Sequence, residues 1–246
     1  MSYKLLVPKL LKNRRLIFGL GSGRCGTTSL SYLLNLQKDT EVTHEYHTDD
    51  PFNIDLVSPP HLVMFCLIDL LARESKIVGD SSFYWLRHLK MVSSFKGDLR
   101  FICLKRDKKA TVDSYLKTPV HDKNPMKDYG RKEFNRYYDE YYMWADYYVD
   151  KHPDIFRIFD IEDLNTAEGQ EVILTFAGFE DPIYEIGIKK NQSFDTRLKD
   201  GGIDPDNLEV EELGERANGI NGPPPPEIPP HFIGEEEGVT CEMQVE

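Results

Sequence analysis

Residues 16–34 read "LIFGLGSGRCGTTSLSYLL": a short apolar run, three glycines at Gly21, Gly23 and Gly26, then a leucine-bearing segment. Few stretches constrain a fold more. An apolar run of this length fits a strand buried on both faces, which is the habit of parallel sheets. The segment "TTSLSYLLNLQ" has the length and leucine spacing of a helix. Three further segments, "KIVGD" (76–80), "RFICLKRD" (100–107) and "FRIFDIEDL" (156–164), read as strands, each next to helical pattern. Strands alternating with helices predict an α/β domain with a parallel sheet flanked by helices. In 132–150, Phe134, Tyr137, Tyr138, Tyr141, Ala145 and Tyr148 recur three or four apart, which predicts a helix with one apolar face. That face can pack into the core or offer a stacking surface to a substrate.

The glycines let the backbone turn sharply from strand to helix, so that N–H groups and the positive end of the helix converge on an anion. The letters satisfy both G-x-G-x-x-G and G-x-x-x-x-G patterns, neither specific alone. A phosphate-transferring loop places lysine where this chain has Thr27, which argues against chemistry on ATP. A dinucleotide site stays open, because Glu45 follows the loop at the distance of a ribose-binding carboxylate. That option leaves Arg24 unexplained. An arginine followed by the hydroxyls of Thr27 and Thr28 suits a tetrahedral anion that gains charge at a bridging oxygen during transfer. Cys25 fails as a phosphatase nucleophile, because Ser31 stands where that loop needs arginine, and it reads as loop packing.

These residues resemble the 5′-phosphosulfate loop of sulfotransferases that use 3′-phosphoadenylyl sulfate (PAPS), especially the tyrosylprotein and carbohydrate branches, in which it reads roughly P-R-S-G-T-T. A second motif of that family, a strand ending in Arg followed eight residues later by Ser, is matched in "FICLKRDKKATVDSYLK" by Arg106 and Ser114. "RIFDIEDLN" and "FAGFEDP" resemble two later family segments, so the likeness spans about residues 14–195. Ile161, Lys108 and the lysine-free "GDSSFYW" depart from the pattern. The resemblance implies a P-loop-like strand–loop–helix. In it Ser22, Gly23, Arg24, Cys25, Gly26, Thr27 and Thr28 line the phosphosulfate, Arg106 and Ser114 grip the 3′-phosphate, and adenosine 3′,5′-bisphosphate is the product. The acceptor would be a hydroxyl on a carbohydrate, lipid, small alcohol or tyrosine.

Transfer to a hydroxyl needs a base near the loop. "TEVTHEYHTDD" follows the first helix, and the resemblance places Glu45 at the catalytic glutamate of the tyrosylprotein branch. His44 is the rival base. On a strand spanning 41–45 the two would point to opposite faces, leaving one of them toward the loop. Arg24 would stabilise the developing charge. His44, His47, Asp49 and Asp50 could also bind a metal, but no second ligand cluster accompanies them, and no metal is expected. Ser82 and Tyr84 fall where the family lines its acceptor cleft, or simply in the core.

A net charge of -12 argues against general attraction to nucleic acid or anionic membrane. "MSYKLLVPKLLKNRRLIFGLG" holds neither a signal-peptide core nor a spanning segment, so stable membrane insertion is not expected and a cytoplasmic location is. Cys25, Cys66, Cys103 and Cys241 lack metal-ligand spacing and read as reduced thiols. From 196 to 246 the chain turns acidic and proline-rich, an extension to a domain of 1–195. Two other readings compete with sulfuryl transfer: a Rossmann-type NAD(P)-dependent oxidoreductase and a non-catalytic nucleotide-binding protein.

Overall fold

β1 (Arg15–Leu20) is apolar along almost its whole length because it is covered on both sides. Leu16, Phe18 and Leu20 enter one core and Ile17 the other, the two-residue alternation of a strand. This computed structural model describes residues 9–46, 60–95, 97–117 and 130–188, all within the first of two units of the chain, Met1–Asp206. The expected extension, 196–246, lies outside the described residues.

The elements follow in the order β1, α1 (Thr27–Asn35), β2 (Thr40–His44), α2 (Pro60–Ala72), β3 (Ile77–Ser81), α3 (Trp85–Ser93), β4 (Asp98–Lys105), α4 (Lys108–Lys117), α5 (Arg131–Lys151), β5 (Phe156–Asp160) and α6 (Ala167–Ala177). The five strands form one parallel sheet in the order β2-β3-β1-β4-β5. This is the α/β architecture expected from the alternation. In a Rossmann sheet β2 lies beside β1. Here β3 stands between them, which counts against the oxidoreductase reading.

On one face, α2, α3 and α5 pack Leu67, Leu70, Trp85, Leu89, Tyr141 and Tyr148 over Phe18 and Phe101. The Phe18 ring lies 4.6 Å from Trp85 and 5.2 Å from Phe101, contacts worth about 1 kcal/mol each beyond their burial. On the other face, α1 and α6 cover Ile17, Ile102 and Leu104 with Leu30, Leu33, Ile173 and Leu174. Two devices tie the margins. Asn35 at the end of α1 donates to Val42 O (2.6 Å) and accepts from Val42 N–H (2.8 Å), satisfying backbone on the edge strand β2. Arg15 pairs with Asp98 (2.7 Å) and donates to the C-terminal carbonyls of α6, Ala177 O (3.0 Å) and Gly178 O (2.6 Å).

The strand expected over 156–164 stops at Asp160. Asp163 accepts from the Asp160 N–H (3.1 Å), and this cap starts a 3-10 turn, Ile161–Asn165. The helix expected over 132–150 is α5, and its face is core: Phe134, Tyr138, Tyr141, Ala145 and Tyr148 are buried.

All strands run the same way, so Leu20, His44, Ser81, Lys105 and Asp160 end at one rim of the sheet, where open α/β sheets bind ligands. At the opposite rim is a cavity of about 730 Å³ lined by Lys12, Arg14, Arg15, Lys38, Asp39 and Lys76 among others. Its arginines are already engaged: Arg14 donates to Leu71 O and Arg73 O, and Arg15 as above. A strand length of about 16 Å separates it from the glycine loop.

Candidate active site around the glycine loop

Between β1 and α1 the backbone passes through positive φ at Gly23 (84°), Arg24 (54°) and Gly26 (91°), Gly26 being the cap of α1. Alternation of this kind turns N–H groups inward as an anion-binding concavity. For Arg24, a residue with a Cβ, the left-handed conformation costs about 1 to 2 kcal/mol. Its neighbours hold it there. Arg106 Nη1 donates to Arg24 O (3.0 Å), and Arg24 Nε donates to Ser114 Oγ (3.2 Å). Other loop carbonyls are also engaged from behind: Tyr115 Oη donates to Ser22 O, and Ser81 Oγ to Thr27 O (3.0 Å).

The tyrosines of α5 buttress the same loop. Tyr141 Oη accepts from Gly21 N–H (2.9 Å) and donates to Phe83 O (3.3 Å). Tyr142 Oη accepts from Ser22 Oγ (3.5 Å) and donates to Leu104 O (2.7 Å), while Tyr138 Oη donates to Arg106 O (2.6 Å). Ser22 is thus fully buried, its side chain turned to α5. Periodicity identifies these tyrosines as a buried face; it carries no signal that their hydroxyls reach the loop.

Cys25 is also fully buried. Burial pushes its thiol up to about 11, partly offset by the Gly23 backbone N–H, so the thiol stays protonated. Its Sγ fills the space beside Gly21, where an added Cβ would lie 2.1 Å from it. This is the packing role that the sequence suggests.

On the other flank, β2 ends at His44 and Glu45 takes φ 52°. That left-handed residue breaks the alternation expected over 41–45. His44 does not face away from the loop: its Nε2 lies 3.1 Å from both Thr27 Oγ1 and Thr28 Oγ1. Glu45 turns to the same side, its Oε1 4.0 Å from His44 Nε2. Burial, then the nearby Asp80 charge, pushes the Glu45 carboxyl up to about 7, with Arg24 pulling it back. Burial pushes His44 down, against a smaller opposite pull from Asp80. At neutral pH the imidazole is therefore neutral and the carboxyl titrates.

Of the "GDSSFYW" run, Phe83 and Trp85 are core, and Ser82 is buried with no hydrogen-bond partner for its Oγ among the described residues. Tyr84 Oη donates to Asp80 (2.8 Å). Asp80 escapes sequence reasoning, because one acidic residue at the end of an apolar strand looks like a strand boundary. His47, Asp49 and Asp50 lie outside the described residues, and among the described residues no group of three or more metal-ligating side chains occurs.

No family model matches this chain, and no curated protein does. Among solved structures it is similar to a sulfotransferase from Alicyclobacillus acidocaldarius, with 15% identity, a TM-score of 0.51, and coverage of 76% of this chain and 89% of that one. It also matches shikimate kinase from Bacteroides thetaiotaomicron, with 10% identity, a TM-score of 0.42, and coverage of 66% and 94%. The first likeness shows a shared fold. The chain is an α/β domain built on a parallel five-stranded sheet, with its glycine loop at the rim where open α/β sheets bind ligands.

Proposed function

We propose that the chain is a sulfotransferase that moves a sulfuryl group from PAPS to a hydroxyl acceptor. The observation that carries this reading is the convergence at Arg24: Arg106 from the end of β4 and Ser114 from α4 both meet that loop residue, while His44 and Glu45 flank the loop from β2. The loop amides, with Arg24, Thr27 and Thr28, would receive the 5′-phosphosulfate. Arg106 and Ser114, adjoining across Arg24, would take the 3′-phosphate as a charged and a neutral donor. PAPS supplies a sulfuryl group on a bridging oxygen whose cleavage leaves adenosine 3′,5′-bisphosphate.

Glu45 would accept the acceptor's hydroxyl proton at its carboxylate. A base that titrates near 7 is matched to that task. His44, neutral and set against both threonine hydroxyls, would orient them toward the donor. Arg24 would stabilise the charge growing on the bridging oxygen. Two features speak against ATP chemistry and against dinucleotide oxidation: Thr27 in place of a loop lysine, and β3 between β2 and β1.

No helix among the described residues is long and apolar enough to cross a membrane. Calorimetric titration with adenosine 3′,5′-bisphosphate, ATP and NAD tests the donor site, with the bisphosphate expected to bind most tightly. Tighter binding of ATP or NAD would overturn the reading.

A further inference from the structure

Asp80 is fully buried near the end of β3, and each of its oxygens holds two donors. Oδ1 accepts from Thr43 Oγ1 (2.8 Å) and the Tyr46 N–H (3.2 Å); Oδ2 accepts from Tyr84 Oη (2.8 Å) and Trp85 Nε1 (2.7 Å). Thr43 and Tyr46 bracket Glu45, whose own N–H donates to Ser81 O (3.2 Å). The turn carrying the left-handed Glu45 is thus fastened to β3 at Thr43, Glu45 and Tyr46. From outside, the Arg73 guanidinium covers the Tyr46 ring at 4.6 Å.

We propose that Asp80 is the positioning residue of the Glu45 carboxyl, holding the Thr43–Tyr46 turn so that this carboxyl stays sheltered beside the glycine loop. The proposal rests on the reading of Glu45 as the base, and the fastening itself is independent of that reading. An amide could not replace the carboxylate. Trp85 Nε1–H and the Tyr46 N–H can only donate, so an asparagine at 80 would set its NH₂ against one of them whichever way it turned.

Among the described residues, groups facing Glu45 include His44 at the end of β2, Asp80 from β3, Arg24 from the loop, Tyr84 before α3 and Tyr115 on α4. Both phenols are pushed well above their ordinary range, and His44 is pushed down. Across the neutral range the charges that act on Glu45 from the described residues include Asp80, which favours its protonated form, and Arg24, which opposes it. Removing Asp80 takes away a repulsive charge and loosens the shelter, and both effects make Glu45 more acidic.

The test follows the Glu45 carboxyl carbon by NMR in the full chain through a pH titration, with Glu45→Gln identifying its signal. The wild type is expected to titrate near about 7. In Asp80→Asn the midpoint should fall by roughly one pH unit or more. Thr43→Val keeps the Asp80 charge but removes one fastening, and a smaller fall is expected. An unchanged midpoint in folded Asp80→Asn overturns the proposal; if that variant does not fold, an unchanged midpoint in Thr43→Val does. Adenosine 3′,5′-bisphosphate binding is followed in parallel. An affinity loss in Asp80→Asn as large as that from disrupting the glycine loop would mark general structural damage and also overturn it. Failure of the wild type to bind the bisphosphate counts against the sulfotransferase reading, while the Glu45 midpoint still decides the role of Asp80.

Discussion

Glu45 carries opposite demands in one carboxyl. The environment that raises its proton affinity to about 7 also makes its ionised form costly, by about 3 kcal/mol relative to an ordinary value of 4.5. The sign follows from the proton count. Between about 4.5 and about 7 the folded chain holds a proton that the unfolded chain has released, so stability falls as pH rises through that window. Glu45→Gln should therefore melt higher than wild type above about pH 7 and match it in acid. The same variant should lose roughly a hundredfold or more in transfer, because its amide cannot take the proton, and it should keep its affinity for the bisphosphate. Wild-type transfer should rise with pH through about 7. His44→Asn is expected to act on binding: losing two contacts to the threonine hydroxyls should weaken the bisphosphate about tenfold while the pH midpoint of transfer stays put. If His44→Asn abolishes transfer and Glu45→Gln keeps most of it, the two roles are exchanged.

At the scale of elements, the loop owes its shape to the helices behind it. Tyr141→Phe removes the acceptor of the Gly21 N–H inside a buried site, an unsatisfied donor that costs about 1 to 3 kcal/mol. A fall in melting temperature with weaker bisphosphate binding is expected; an unchanged melt would mean that the Gly21 N–H finds another acceptor. In the proposed donor site Arg106 would have two tasks, since its guanidinium also holds the carbonyl of Arg24. Arg106→Ala should therefore weaken nucleotides with and without a 3′-phosphate, and weaken the 3′-phosphorylated one by a further 2 kcal/mol or so, the scale of a charged hydrogen bond. Equal losses for both would leave Arg106 as a loop support alone. Titration calorimetry with paired nucleotides measures the difference.

For the molecule as a whole, the two cores lie on opposite faces of one sheet, and their buried residues run from Leu11 to Ile188. The acidic, proline-rich sequence after 195 has few residues suited to enlarging either. A chain ending at Asp206 is expected to melt within a few degrees of the full chain, since few apolar side chains are lost. A large drop by calorimetry would show that the removed segment, Phe232 and Ile233 included, contributes packing.

What the sequence by itself determined is what local physics controls. An apolar run before clustered glycines and a leucine-spaced segment specifies strand, turn and helix, because buried parallel strands, left-handed turns and helical periodicity are properties of neighbouring residues. β1, β3, β4, β5 and α5 were legible on those grounds, whereas the Arg106–Ser114 spacing stood out only through the resemblance to the sulfotransferase motif. Only the tertiary structure decided the order β2-β3-β1-β4-β5, the left-handed turn at Glu45, and the meeting of His44 with Thr27 and Thr28. It alone decided, too, that Asp80 fastens the turn at Glu45 and that the α5 tyrosines brace the glycine loop. Hydrogen-bond partners and desolvation come from residues far apart in the chain. The sequence singles out Glu45 by its distance from the glycine loop and by the resemblance; its conformation and its proton affinity come from β3, the glycine loop and the water that packing around them excludes.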